Sequence, residues 1–200
     1  MAAADNAVIF KSIVKSVAAR NGLTADFSPK PLKDKAGSGM HVNFAVRSVK
    51  GEDCMSKAIA GIMDKIEGLT AFLNPCPASY ERLGGNKAPG YISWSSQNRS
   101  QLIRIPAAEG EFKRAELRSP DPEANPYIAF AMLIYAGLEG IEKNMQLPEC
   151  ADINLFAASP QVLEKFRRLP ENLEAAKAAA LDCSLVKEHL PEELIKIYCT

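Results

Sequence analysis

From position 91 to 122 the chain reads YISWSSQNRSQLIRIPAAEGEFKRAELRSPDP, and this stretch limits the fold more than any other. Residues 101–106 and 114–119 have the composition of two short strands, joined by a polar loop that carries Gly110. Side chains alternate along a strand, so Arg114, Glu116 and Arg118 are expected on one face, with Ala115 and Leu117 on the other. Arg99 and Arg104 flank the first strand, bringing four guanidinium groups and the Glu116 carboxylate to one patch of sheet. Guanidinium is planar, permanently protonated, and grips phosphate or carboxylate oxygens with paired N–H donors. Such a patch suits an anion. The other reading is a solvated face paired with Glu109, Glu111, Glu116 and Asp121, each pair contributing about 0–1 kcal/mol.

Composition narrows the partners. With 200 residues, 47% hydrophobic and 24% charged, the chain is one domain, or a large piece of one, with a substantial core. Its 24 basic and 24 acidic residues cancel, leaving no net field to draw nucleic acid. No run approaches the roughly 18 uninterrupted apolar residues of a membrane span, and MAAADNAVIF lacks the basic-then-apolar form of a signal peptide. The expectation is a cytoplasmic protein without nucleic-acid or membrane partners. Cys54, Cys76, Cys150, Cys183 and Cys199 are odd in number and lack CxxC spacing, which points to reduced thiols.

In order along the chain, Asp5 or Asn6 can cap a helix that runs to about Arg20, packs through Ile9, Ile13, Val14 and Val17, and stops at Gly22. Residues 23–27 suggest a short strand. Residues 37–47 then alternate, with Met40, Val42, Phe44 and Val46 on one face and His41, Asn43, Ala45 and Arg47 on the other. A lone histidine is more often a structural hydrogen-bonding residue than a metal ligand, so His41 needs partners before it counts as one. A helix starting at Asp53 or Ser56, carrying Ile59, Ile62, Met63, Ile66, Leu69 and Phe72, is expected to cover the sheet and to end at Asn74-Pro75. Residues 79–90 read as a long loop. Trp94 reads as a core or pocket-wall residue. Asn125 caps and Pro126 opens a strongly apolar helix to about Lys143, expected to be buried on most sides. Short amphipathic helices follow at residues 160–168, 171–180 and 184–198, the last broken near Pro191, and His189 among them carries no role.

The motifs GSGMHxN at residues 37–43, NRSxxIRIP at 98–106 and KRxExRxPDPxANPYxAF from Lys113 are long, ordered and specific. On them the chain resembles the later half of glutamine synthetases. The resemblance implies an α+β fold: a curved antiparallel sheet, part of the catalytic barrel, left open by missing strands, with helices on its outer face. Residues 1–147 would be the partial catalytic domain and 148–200 its C-terminal helical subdomain. In that family ATP phosphorylates the γ-carboxylate of glutamate, and ammonia then attacks the acyl phosphate. By the same resemblance His41 and Glu116 bind a catalytic Mg²⁺ or Mn²⁺, and Gly37, Gly39, Arg82 and Arg118 hold glutamate. Asn43, Lys113 and Arg114 serve the nucleotide, and Arg99 and Arg104 serve the transferred phosphoryl group.

The family forms homo-oligomeric rings with active sites between subunits. Its β-grasp domain and the strands bearing an ExE pair and further glutamates are expected to be missing here, leaving the piece incomplete as a catalyst. It departs from the family at Lys87, where a glutamate usually precedes Ala-Pro and is implicated in taking a proton from ammonium. A cation there repels ammonium and cannot accept its proton. That leaves open impaired chemistry, ligation of glutamate to another amine, or a non-catalytic relative used for assembly or regulation.

Overall fold

The computed structural model describes residues 1–49, 54–85, 87–106 and 114–200. Its centre is a helix, α2 (Met55–Leu73), whose residues are mostly buried. Before it come α1 (Ala2–Arg20) and β1 (Val42–Phe44), and after it α3 (Pro77–Arg82), β2 (Trp94–Ser95), β3 (Ile103–Arg104) and β4 (Ala115–Leu117). The chain closes with α4 (Pro126–Glu142), α5 (Pro160–Leu163), α6 (Leu173–Asp182), α7 (Ser184–His189) and α8 (Glu192–Cys199).

The fold is α+β with a small open sheet, ordered β1-β4-β3-β2. β4 pairs antiparallel with both β1 and β3, as expected, but β2 runs parallel to β3, so the sheet is mixed. The turn after Ser95, whose hydroxyl accepts the N–H groups of Gln97 and Asn98, folds the chain back into the same direction. The strands are shorter than their sequence patterns. Even so, residues 40–47 keep the alternation, with Met40, Val42, Phe44 and Val46 packed on the core and His41, Asn43, Ala45 and Arg47 exposed.

α2 lies between α4 and α6, and one apolar core joins it to Ile103, Ala115 and Leu117 of the sheet. Leu169, Ala176, Ala180, Leu185 and Val186 extend that same core into the C-terminal helices. The α2–α4 crossing is close because two glycines meet there. A Cβ on Gly61 would stand 2.2 Å from the Ala136 carbonyl oxygen, and one on Gly140 would stand 2.2 Å from that of Lys57.

Local signals held at several element ends. Asn125 accepts the Tyr127 N–H and Pro126 opens α4, and Asn74 ends α2. At the end of α1, Gly22 (φ +69°) lets Leu23 N–H reach Ala18 O and its own N–H reach Ala19 O.

Other expectations fail for stated reasons. Residues 23–27 form no strand, because Leu23 closes back onto α1 and Phe27 packs edge-on against Phe10 at 6.3 Å. Residues 77–82 are helical rather than loop, since Pro77 sets the first-turn φ and the Cys76 N–H donates to Ser79 Oγ. The helix expected over 160–168 ends at Leu163. α1 starts at Ala2, and its apolar face is not packed: Ile9, Phe10, Ile13 and Val17 are exposed, and only Ala4 is buried. It rests on the body through Lys11 Nζ donating to Pro122 O (2.7 Å) and Tyr127 hydroxyl donating to Asp5 (2.6 Å). α4 is buried chiefly against α2, with Ile134, Tyr135 and Leu138 exposed, because α1 and α7 cover only part of its other side. His189 stacks flat on Tyr135 at 3.8 Å. All five cysteines are free, and among the described residues no helix is long and apolar enough to cross a membrane.

Candidate active site

The sheet register places Glu116 of β4 opposite Asn43 of β1 on one side and Arg104 of β3 on the other. Around it the side chains converge. His41 Nδ1 lies 2.7 Å from Glu116 Oε1, Arg104 Nη1 donates to Oε2 at 3.1 Å, and Arg118 Nη1 donates to Oε1 at 3.4 Å. Arg118 also donates from Nε to Arg99 O and from Nη2 to Lys87 O, while Arg82 donates to the carbonyls of Ser119 (2.7 Å) and Arg118 (3.0 Å). The result is a cavity of about 440 Å³ walled by Arg82, Lys87, Arg99, Arg104 and Arg118, with Glu116 and His41. Five cationic side chains face one acid among the described lining residues.

Electrostatics set the protonation states. Burial pushes the Glu116 carboxyl up, but Arg118, His41 and Arg104 together outweigh it and hold it below the usual carboxylate range. Burial and then Arg118 push His41 down, and Glu116 only partly opposes them, so the neutral ring is favoured. A neutral imidazole that donates from Nδ1 to a carboxylate carries its lone pair on Nε2. Nε2 would stand 3.1 Å from a Cβ placed on Gly39.

Of the residues singled out from sequence, Gly37, Gly39, His41, Arg82, Arg99, Arg104, Glu116 and Arg118 meet at this cavity. Asn43 lies beside it in the strand, bordering an apolar groove between β1 and α4. Arg114 is exposed and outside the cavity lining, since β4 begins only at Ala115. Lys113 lies outside the described residues, as do Asp53, Glu109, Gly110 and Glu111.

The glycines have a local reason. A Cβ on Gly37 would meet Pro29 O at 2.3 Å and Arg82 Cγ at 2.8 Å, and one on Gly39 would meet Arg82 Nη2 at 2.6 Å, so both make room for Arg82. Sequence reasoning missed the buried polar group behind the cavity. Asp121, read as one possible surface partner for arginines, is fully buried with Asn74 and Ser79. A run of short polar residues around a proline turn was the available signal.

Lys87 occupies the cavity wall in a left-handed conformation, φ +78°. Glycine takes that conformation without the roughly 1 kcal/mol that a side chain costs there. Lys87→Gly keeps the carbonyl that Arg118 binds and removes one cation. It is expected to leave thermal stability unchanged or raised while weakening inorganic phosphate binding severalfold in calorimetry. A parallel loss of both would count against the electrostatic role.

The family model described as glutamine synthetase, catalytic domain, matches residues 1–200. A glutamine synthetase of Clostridium saccharobutylicum is 41% identical over 210 residues, covering 98% of this chain and 47% of the relative. One from Methanosarcina mazei is 43% identical over 211 residues, with the same coverage. A solved structure described as a GmaS/ADP complex superposes with a TM-score of 0.87 at 31% identity, over 98% of this chain and 49% of that one. GmaS without ligand gives 0.82 at 32% identity, over 98% and 47%. The chain spans about half the length of the relatives it matches.

Proposed function

Because the chain belongs to the glutamine synthetase catalytic-domain family, we propose that its cation-lined cavity is the phosphate- and carboxylate-binding part of an ATP-dependent ligase site. The observation that carries this reading is the convergence of Arg82, Lys87, Arg99, Arg104 and Arg118 on one cavity. In the whole enzyme, charge grows on the γ-phosphoryl oxygens as the group passes from ATP to the glutamate γ-carboxylate. Arg99 and Arg104 would offset it, with Arg82 and Arg118 holding glutamate carboxylate oxygens. An amine then attacks the acyl carbon, forming the amide as the C–O bond to phosphate breaks and releasing inorganic phosphate and a proton. Arg82 and Arg118 are already braced by backbone carbonyls, so they act as fixed charges that need little reorganisation during the reaction.

Family membership implies divalent-metal use, and Mg²⁺ or Mn²⁺ takes about six mostly oxygen donors. Among the described residues His41 and Glu116 are two such donors, bonded to each other, and no group of three or more His, Cys, Asp or Glu stands together. These residues do not complete a metal site by themselves. In this reading Asn43, Lys113 and Arg114 serve the nucleotide. The exposed apolar faces of α1 and α4 support assembly of the parent enzyme into a ring, and five free cysteines suit a cytoplasmic setting.

A second reading rests on Lys87, whose cation in the same wall opposes ammonium and cannot take its proton, which leaves open another amine as the partner of glutamate. Comparing ammonia with larger amines in the full-length parent decides between them. The primary reading is tested by calorimetric titration of this chain with ADP, with and without Mn²⁺. Binding is expected, weakened about tenfold or more by Arg104→Ala at unchanged helical content. A folded chain that binds no ADP, or binds it equally well after the substitution, would contradict the assignment.

A further inference from the structure

We infer that Asn74 and Asp121 are positioning residues: a buried amide–carboxylate pair at the end of α2 that fixes Arg82 in the cavity wall. Neither touches the cavity, and both are 0% exposed, as is Ser79. The Asn74 side-chain amide donates one proton to Ser119 O at 2.9 Å and the other to Asp121 Oδ2 at 2.8 Å. Ser119 O also accepts Arg82 Nη1, and the next carbonyl back, that of Arg118, accepts Arg82 Nη2. Both terminal nitrogens of Arg82 are therefore set by one peptide segment, and that segment is held by Asn74.

Asp121 closes the assembly. It accepts the Glu123 N–H on Oδ1 at 3.0 Å and the Asn74 amide on Oδ2, and its own N–H donates to Leu73 O in the last turn of α2. Its carboxylate makes no direct ion pair with Arg82, although each perturbs the other's charge state. The coupling is thus geometric: α2 end, then turn 118–121, then guanidinium. Asn74 Oδ1 and Ser119 Oγ have no partner, but both amide protons of Asn74 and both oxygens of Asp121 are bonded, so removing that carboxylate loosens several partners together.

The carboxylate accepts on both of its oxygens, whereas an asparagine at position 121 has one oxygen and would set an N–H donor against either the Glu123 N–H or the Asn74 amide. Asp121→Asn should let the turn relax and Arg82 reorient, although neither residue 121 nor its partner Asn74 lines the cavity.

The functional weight of this inference rests on the anion-binding reading above, so its test has a readout independent of binding. In ¹⁵N spectra of the chain, the Arg82 terminal nitrogens should give distinct, slowly exchanging signals, because both are tied to carbonyls. In Asp121→Asn those signals should merge, and ADP affinity should fall about tenfold. Ile66→Val, a core change in α2 away from the network, should lower thermal stability without altering either readout.

Unchanged Arg82 signals in a folded Asp121→Asn variant overturn the inference, as does an equal loss of affinity in Ile66→Val at matched stability. If Asp121→Asn does not fold, Asn74→Ala removes the donor to Ser119 O and to the same carboxylate and should shift the Arg82 signals in the same direction; no shift there also overturns it. Should the unsubstituted chain bind no ADP, the ligase reading fails while the Arg82 spectra still decide this one.

Discussion

Replacing Gly61 by alanine is expected to destabilise the chain by about 3 kcal/mol, the upper part of the usual range for forcing one extra carbon into a filled core. The added Cβ would lie 2.2 Å from the Ala136 carbonyl oxygen and 2.7 Å from the Gly140 backbone. Both obstacles are main chain, so no rotamer change relieves them, and α2 and α4 must separate. Separation exposes the interface that buries Ile62, Met63, Met132 and Ala136.

Gly137, one turn from Gly140 on α4, is the internal comparison. Its Cβ would meet the Ala58 side chain at an ordinary 3.5 Å. Gly137→Ala should therefore be neutral, or stabilising by up to about 1 kcal/mol through helix propensity. Urea unfolding of the two variants measures the contrast. A cost for Gly61→Ala no larger than that for Gly137→Ala would mean the helices do not cross this closely.

Glu116→Ala is expected to cost about 3 kcal/mol, since it leaves the Arg118 side chain, 5% exposed, without its carboxylate partner. It also releases Arg104 and His41. Anion affinity should move the other way and rise, because the cavity loses the one acid among its described lining residues. Opposite changes in stability and affinity separate this substitution from simple unfolding.

The pH dependence has a definite sign. Despite burial, Arg118, His41 and Arg104 hold the Glu116 pKa below its ordinary value, so its stabilisation is complete above about pH 5 and is lost as pH falls through the depressed folded value. The gap between the parent chain and Glu116→Ala should accordingly be largest near neutral pH and shrink below about pH 4. Unfolding curves at pH 7 and pH 3 test this, and a gap that widens in acid would show that Glu116 is not held ionised by its neighbours.

Much of the site was legible from residue order because the relevant signals are periodic or terminal. Asn125-Pro126 started α4, Asn74-Pro75 ended α2, and alternation over residues 40–47 put His41 on the face opposite the core. The spacing of Arg99, Arg104, Glu116 and Arg118 similarly foretold their convergence, since strand geometry projects alternate residues to one side. Arg114 obeyed the alternation rule in sequence yet lies outside the cavity lining, because the strand it was assigned to begins one residue later.

By itself, then, the sequence determined most of the longer elements, several of their ends, and which residues share a strand face, all consequences of backbone dihedrals and side-chain period. Tertiary structure decided what each face meets. α1 has an apolar stripe either way, but it is a different face that meets α4, and Ile9, Phe10, Ile13 and Val17 are left exposed. The His41–Glu116 bond joins positions 75 apart and the Asn74–Asp121 bond positions 47 apart. Burial and hydrogen-bond partners belong to pairs of distant segments, so whether Asp121 would be a surface counter-ion or a fully buried brace for Arg82 was settled only when α2 and the turn after β4 packed together.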